Sequence, residues 1–190
     1  MNTIPVLGMD PSMSNWGLAY GHFDLETHAV SIERVEVIKP EQINCKQVRK
    51  NSQDIYRARQ LVEGVFSTCT EASAIFIEVP HGSQSARSMA SYGICIGILG
   101  AIAAQGIPFY ELTATNLKLG VTGSGTASKQ EVIDTIVTQY PDTNWPYRTQ
   151  NGQQKLVTGK AEHMADAVGA ITTGVKLPEF QQLLQFIKAA

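Results

Sequence analysis

Three strand-forming stretches follow one another before any helical periodicity appears, and that order limits the folds open to this chain. Residues 3–10 run into a turn bounded by Gly8 and Pro11, residues 16–23 follow closely, and residues 29–38 alternate through Val30, Ile32, Val35 and Val37. Connections this short predict an antiparallel meander. After an amphipathic helix, residues 74–79 form a short run of buried-strand type, stopped by Pro80 and Gly82, with Glu78 at its carboxyl end. Residues 88–105 have helical length and are apolar nearly all round. Gly93, Gly97 and Ala101 recur there every four residues, a line along which another helix can approach closely. Such a helix is either buried in the core or shared between the core and a homodimer contact. Residues 107–111 read as a strand, Gly120, Gly123 and Gly125 as a flexible loop, and residues 128–140 as a helix opened by a Ser128–Glu131 capping box. Residues 160–173 and 177–187 are the last two helices. The order predicts an α/β fold with a mixed five-stranded sheet, a meander plus parallel strands, flanked by helices.

A length of 190 residues with 43% hydrophobic content supports one well-buried core, so residues 1–190 are expected to form a single domain. Residues 141–159 contain Pro146, Gly152 and paired glutamines with little hydrophobic periodicity. They are the expected mobile insertion. The longest apolar run, residues 93–104, falls short of the ~20 residues that cross a bilayer, and the chain opens on a strand rather than a signal sequence. A cytoplasmic protein with no membrane partner is expected. Cys45, Cys69 and Cys95 have neither close pairing nor a histidine at zinc-finger distance, which argues against a disulfide framework and a structural zinc.

The net charge of −2 does not mark a nucleic-acid binder, but the charge is unevenly placed. Residues 39–60 hold six basic side chains (Lys39, Lys46, Arg49, Lys50, Arg57 and Arg59) against Glu41 and Asp54. At helical spacing Lys46, Arg49, Lys50, Gln53 and Arg57 share one stripe, while Val48, Ile55, Ala58, Val62, Val65, Phe66 and Cys69 lie opposite. That stripe is either a solvated face or a track for DNA.

Two carboxylates, Asp10 and Glu78, end apolar runs, where an acid is costly unless something positive meets it. Either alone reads as a turn cap. A third group changes the balance: in AEHMADA (residues 161–167), His163 and Asp166 share a helix face, as do Glu162 and Asp166. Hard ligands converging from separate elements hold a divalent metal with positions open for water and phosphate.

Several segments resemble, in order, the motifs of the RuvC Holliday-junction resolvases of the RNase H-like superfamily. VLGMDPSMSNWGLAYG (residues 6–21) resembles the first motif, AIFIEVPHG (74–82) the second, the stretch from Phe109 through TNLKLGVTGSGTASKQEVI to Ile133 the third region with the spacing of its two lysines kept, and AEHMADAVGAI (161–171) the last. The resemblance implies a metal-dependent endonuclease that resolves four-way DNA junctions in recombination and repair, leaving 5′-phosphate ends. By position it assigns Asp10, Glu78, His163 and Asp166 to catalysis and to two Mg²⁺ ions, and Lys129 to catalysis beside them. Glu162 competes with His163 as ligand. Where some members have Asp, the imidazole of His163 removes one negative charge and improves the standing of Mn²⁺ relative to Mg²⁺. Lys118 and His81 are implied DNA contacts, joined by Lys46, Arg49, Lys50 and Arg57 of the basic stripe. His81 stands where some resolvases carry an aromatic that stacks on an unpaired base. The 141–159 stretch is longer than the family leads one to expect, and its Trp145, Tyr147 and Arg148 form a mix suited to DNA contact.

Two cuts per junction from one site per chain imply a homodimer, in a bacterium or a phage-infected cell. The alternatives are a YqgF-like nuclease of structured RNA, a branched-DNA binder that does not cut, and an actin-like or sugar-kinase ATP binder. The last is disfavoured by length, because those proteins clamp nucleotide between two such domains.

Overall fold

In the computed structural model, which describes residues 2–43, 45 and 47–189, the meander forms as expected. Strands β1 (Thr3–Asp10), β2 (Trp16–Asp24) and β3 (Val30–Ile38) pair antiparallel. Strands β4 (Ala74–Glu78) and β5 (Phe109–Leu112) extend the sheet in parallel on the other side of β1, giving the order β3-β2-β1-β4-β5. The five-stranded mixed sheet is the one expected.

Helices cover both faces. Against one face, α1 (Lys50–Cys69) and α2 (Ala86–Ala103) close a core of Leu7, Met9, Trp16, Leu61, Ile75 and Ile102. Against the other lie α3 (Ala114–Thr122), α4 (Lys129–Gln139), α5 (Thr158–Gly174) and α6 (Pro178–Ala189). There Phe76, Tyr110 and Phe23 gather around Phe180, with ring centroids 5.1–5.5 Å apart. Edge-to-face packing of this kind adds to simple area burial.

Helix α5 is the central helix, buried along most of its length, and it lies unusually close to the sheet. A Cβ on Gly8 would stand 2.0 Å from the Ala167 carbonyl oxygen, and one on Gly17 2.1 Å from that of His163. Gly8 therefore does not bound a turn, as its sequence context suggests. It lies within β1, where the missing side chain lets the helix backbone settle onto the strand. Gly120 likewise belongs to α3 rather than to a loop, its Cα facing Thr173 of α5. Gly123, at φ 78°, is the left-handed residue that ends α3. The Ser128–Glu131 capping box forms as expected and opens α4 at Lys129.

Helix α1 keeps most of its expected inner face, with Val65 and Cys69 buried and Ala58, Val62 and Phe66 packed against the core, but differs at its start and at Ile55. It begins at Lys50, so Arg49 is its cap rather than part of a helical stripe, and Lys46 lies outside the described residues. The buried face runs through Asp54, Leu61, Val65 and Cys69, while Ile55 is 72% exposed. Asp54 can be buried because Arg87 of α2 grips it through both guanidinium nitrogens, one at 2.6 Å.

Residues 141–159 contain a hairpin of β6 (Tyr147–Gln150) and β7 (Gln153–Leu156). Asn151 and Gly152 make its two-residue turn with φ of 51° and 76°, the combination the Asn-Gly pair favours. Trp145 is not a surface aromatic: it is 5% exposed, and its indole N–H donates to the Tyr140 carbonyl at 2.8 Å. Beside it, the Asn144 side chain accepts from Val35 N–H (2.8 Å) and donates to Val35 C=O (2.9 Å).

Helix α2 has the length and composition of a membrane span, with a mean hydropathy of 1.4, and only 22% of it is buried. Its inner side nevertheless contributes Cys95, Ile98, Leu99 and Ile102 to the core.

Candidate active site

Because β1 and β4 are parallel neighbours with Met9 beside Ile77, Asp10 and Glu78 emerge together at the carboxyl ends of the two strands. Helix α5 brings the third group. Gly17 is the cross-strand partner of Asp10, so the close approach of α5 at Gly17 sets His163 directly over Asp10. His163 Nδ1 lies 2.5 Å from Asp10 Oδ2. One turn on, Asp166 faces the same cleft of about 350 Å³, whose walls include Glu78, Lys118 and Lys129. A larger cavity of about 510 Å³ near Phe23 and Tyr140 has no carboxylate in its lining, so size alone does not locate the chemistry.

The electrostatics of the cleft are those of crowded acids. Burial pushes the Asp166 carboxyl up to about 8, with the charges of Asp10 and Glu78 adding to it. Burial likewise lifts Glu78 to about 7, helped by Asp10 and opposed by Lys129 and Lys118. The hydrogen bond that His163 donates to Asp10 raises the imidazole and favours its protonated form. Lys129 is raised by Glu162, to which its ammonium is bonded. Thus Glu162 is engaged with Lys129 and His163 with Asp10.

The donor set fits a hard divalent cation: oxygens from three separate elements, with negative charge the two lysines leave uncompensated. Among the described residues, no group of three or more His, Cys, Asp or Glu side chains is already drawn together to hold an ion. For His163 to ligate, an ion has to displace the proton that bonds it to Asp10.

Of the residues singled out in the sequence, Asp10, Glu78, His81, Lys118, Lys129, Glu162, His163 and Asp166 all border this one cleft. Arg49 and Lys50 are exposed at the start of α1 and do not line it. Arg57 donates to the Met13 carbonyl and, at 3.1 Å, to Ser14 Oγ, bracing the loop that leads away from Asp10. Tyr92 and Ser12 border the cleft and escaped the sequence reading. The signal for Tyr92 was a lone polar aromatic in an otherwise small and aliphatic helix.

Fold and site together define an RNase H-like α/β protein with an acidic cleft. A Thermus thermophilus RuvC solved in complex with Holliday junction substrate superposes with a TM-score of 0.63 at 19% identity, covering 90% of this chain and 92% of that one. A Fowlpox virus resolvase in complex with Holliday junction DNA shares the fold more distantly, at a TM-score of 0.51 and 14% identity over 95% and 99% of the two chains. The family model for crossover junction endodeoxyribonuclease RuvC matches residues 6–141, and the chain belongs to that family. The crossover junction endodeoxyribonuclease RuvC of Bacteroides fragilis is 28% identical over 136 residues, which is 69% of this chain and 66% of that protein.

Proposed function

We propose that this chain is an endonuclease that resolves four-way DNA junctions by hydrolysing one phosphodiester per protomer, leaving 5′-phosphate ends. The observation that carries the proposal is the convergence of Asp10, Glu78 and Asp166 from two strand ends and a helix, opposite Lys118 and Lys129, in a family whose name is that activity. The three carboxylates, joined by His163, are the residues to hold Mg²⁺, or Mn²⁺ in view of the imidazole. Two bound ions would supply an activated water and neutralise charge on the departing 3′ oxygen. Lys129, held by Glu162, meets charge developing on the phosphoryl group, and Lys118 meets the phosphate from α3. His163, through its bond to Asp10, holds that carboxylate in a single orientation. His81 and Tyr92 at the rim offer flat faces to an unpaired base. Arg49 and Lys50 at the start of α1 are further contacts for the DNA backbone.

The test is cleavage of a mobile four-way DNA junction, a linear duplex and a structured RNA, each with Mg²⁺ or Mn²⁺. Paired cuts confined to the DNA junction are expected. Cleavage of RNA alone, or junction binding with no cleavage in either metal, would replace this reading by one of the other two.

A homodimer is the second part of the proposal, supported by the outer side of α2. Met89 (47%) and Ile96 (46%) are exposed there, and a Cβ on Gly93, Gly97 or Gly100 would meet nothing within 4 Å. An apolar stripe lined with small residues suits a two-fold helix contact, and paired cuts need two sites. Sedimentation is expected to show a dimer, and Ile96→Glu a monomer that nicks junctions without resolving them.

A further inference from the structure

The β6–β7 hairpin lies beyond residues 6–141, the part of the chain that matches the family model, and nothing in the cleft chemistry uses it. Its design is unusual for a solvent-facing ribbon. Arg148 and Lys155 are direct cross-strand partners, and Gln150 pairs with Gln153 on the same face. Like charges directly opposite one another destabilise an antiparallel pair. An anion lying between them turns that cost into a gain.

Among the described residues, no carboxylate is paired with either Arg148 or Lys155. Residues 143–161 contain Arg148, Lys155 and Lys160 but no Asp or Glu. Among the described residues, none of these cations, nor Lys39, is held in an ion pair. Lys39 and Lys160 border a cavity of about 450 Å³ between the end of β3 and the start of α5, where Asn15 also lies. The one carboxylate in that lining, Glu36, is engaged by Arg34 at 3.2 Å and by the Tyr20 hydroxyl.

The ribbon is also firmly seated. Buried Trp145 and the two Asn144–Val35 hydrogen bonds hold its base, and Val157 N–H donates to the Pro146 carbonyl at 2.7 Å where the strands close. Strand β7 then runs straight into α5, which carries His163 and Asp166. The cationic ribbon is thus anchored at its base, and Val157 alone separates it from the helix that carries His163 and Asp166.

We propose that the β6–β7 hairpin is a DNA-backbone arm, in which Arg148 and Lys155 grip phosphates of the duplex entering the cleft and Lys160 and Lys39 continue the contact toward α5. This rests on the reading of the chain as a DNA nuclease. The face is polar and cationic with two amides, so it grips backbone and does not read base sequence.

The experiment is fluorescence-anisotropy binding of the full chain, in EDTA, to a synthetic four-way DNA junction, a linear DNA duplex and an RNA duplex. Salt is varied from about 50 to about 200 mM. Arg148→Ala/Lys155→Ala is expected to bind the junction at least tenfold more weakly at the low end. The slope of log affinity against log salt should shrink by about 1.8, two phosphate contacts at ~0.9 each. Arg148→Lys should keep the wild-type slope. The melting temperature of the double variant should equal or exceed that of wild type, since a like-charge pair is removed, and its sedimentation should match.

Wild-type binding of the junction with an unchanged slope in the double variant overturns the arm and leaves the resolvase reading standing. A slope change on linear duplex, with no preference of the wild type for the junction, supports the arm and removes the junction reading. A loss confined to RNA overturns the assignment to DNA, and a loss of self-association overturns it in favour of a protein contact. Failure of the wild type to bind any of the three overturns both.

Discussion

Asp166→Asn is expected to raise the melting temperature of the metal-free protein at pH 8 while reducing junction cleavage by about 10³-fold or more, equal to ~4 kcal/mol of barrier. The two effects have one origin. The Asp166 carboxyl, at about 8 in the folded chain, and Glu78, at about 7, both lie far above the 3.8 and 4.5 of the free side chains. Between those limits the folded state holds protons that the unfolded state has released. The stability of the metal-free protein therefore falls as pH rises from about 4 toward about 8, and levels off above. An amide at position 166 removes the larger part of that slope, so the variant should melt several degrees higher at pH 8 and show little difference near pH 4.

Divalent metal should stabilise wild type far more than the variant. Mg²⁺ or Mn²⁺ is expected to raise the melting temperature of wild type at pH 8, because binding to the folded state alone shifts the equilibrium toward it. Asp166→Asn should lose most of that rise. Differential scanning calorimetry at pH 4, 6 and 8, with and without metal, reads all of these. A variant that melts lower than wild type at pH 8 without metal would remove the crowded-acid account of the cleft.

The second large effect concerns a residue with no side chain. Gly17→Ala places a methyl group 2.1 Å from the His163 carbonyl oxygen, and backbone cannot turn aside as a flexible side chain can. Helix α5 must lift from β1 and β2, which thins the core and separates His163 from Asp10. A loss of about 2–3 kcal/mol is expected from the overpacking, visible as a lower urea midpoint at unchanged m. Cleavage should fall by more than the folded fraction accounts for when measured well below the new midpoint. Gly159→Ala, in the first turn of α5, is the contrasting control. Nothing lies within 4 Å of that position, so its stability should match or exceed wild type.

How much of this was legible in advance varies with the kind of signal. The sheet was legible because strand alternation, the turns between β1, β2 and β3, and the isolated apolar run before Pro80 are local patterns. The capping box at Ser128 was legible for the same reason. The hairpin at residues 147–156 was announced by Asn151-Gly152, a two-residue turn signal, but its strands have polar residues on both faces and show no hydrophobic alternation to set beside it. Helix α1 turns Ala58, Val62, Val65, Phe66 and Cys69 to the core as expected, but Ile55, read as inner, is exposed and Asp54 is buried. Arg87, 33 residues away, reverses that by neutralising Asp54. Glycines were misread wherever their reason is a neighbour in space: Gly8 and Gly120 look like turn residues, and both exist to admit α5.

By itself, then, the sequence determined the five strands of the main sheet, which carboxylates stand at strand ends, and which motif set they belong to, since all of these depend on neighbours a few positions away. The tertiary structure decided which of those groups meet. It seated α5 on two glycines so that His163 bonds Asp10. It gave Glu162 to Lys129, drew Arg57 into bracing the loop after Asp10, and buried Trp145 while leaving Arg148 and Lys155 outward. Those outcomes depend on packing between elements far apart in the chain, and on the desolvation that packing imposes on charge, neither of which leaves a local trace in the order of residues.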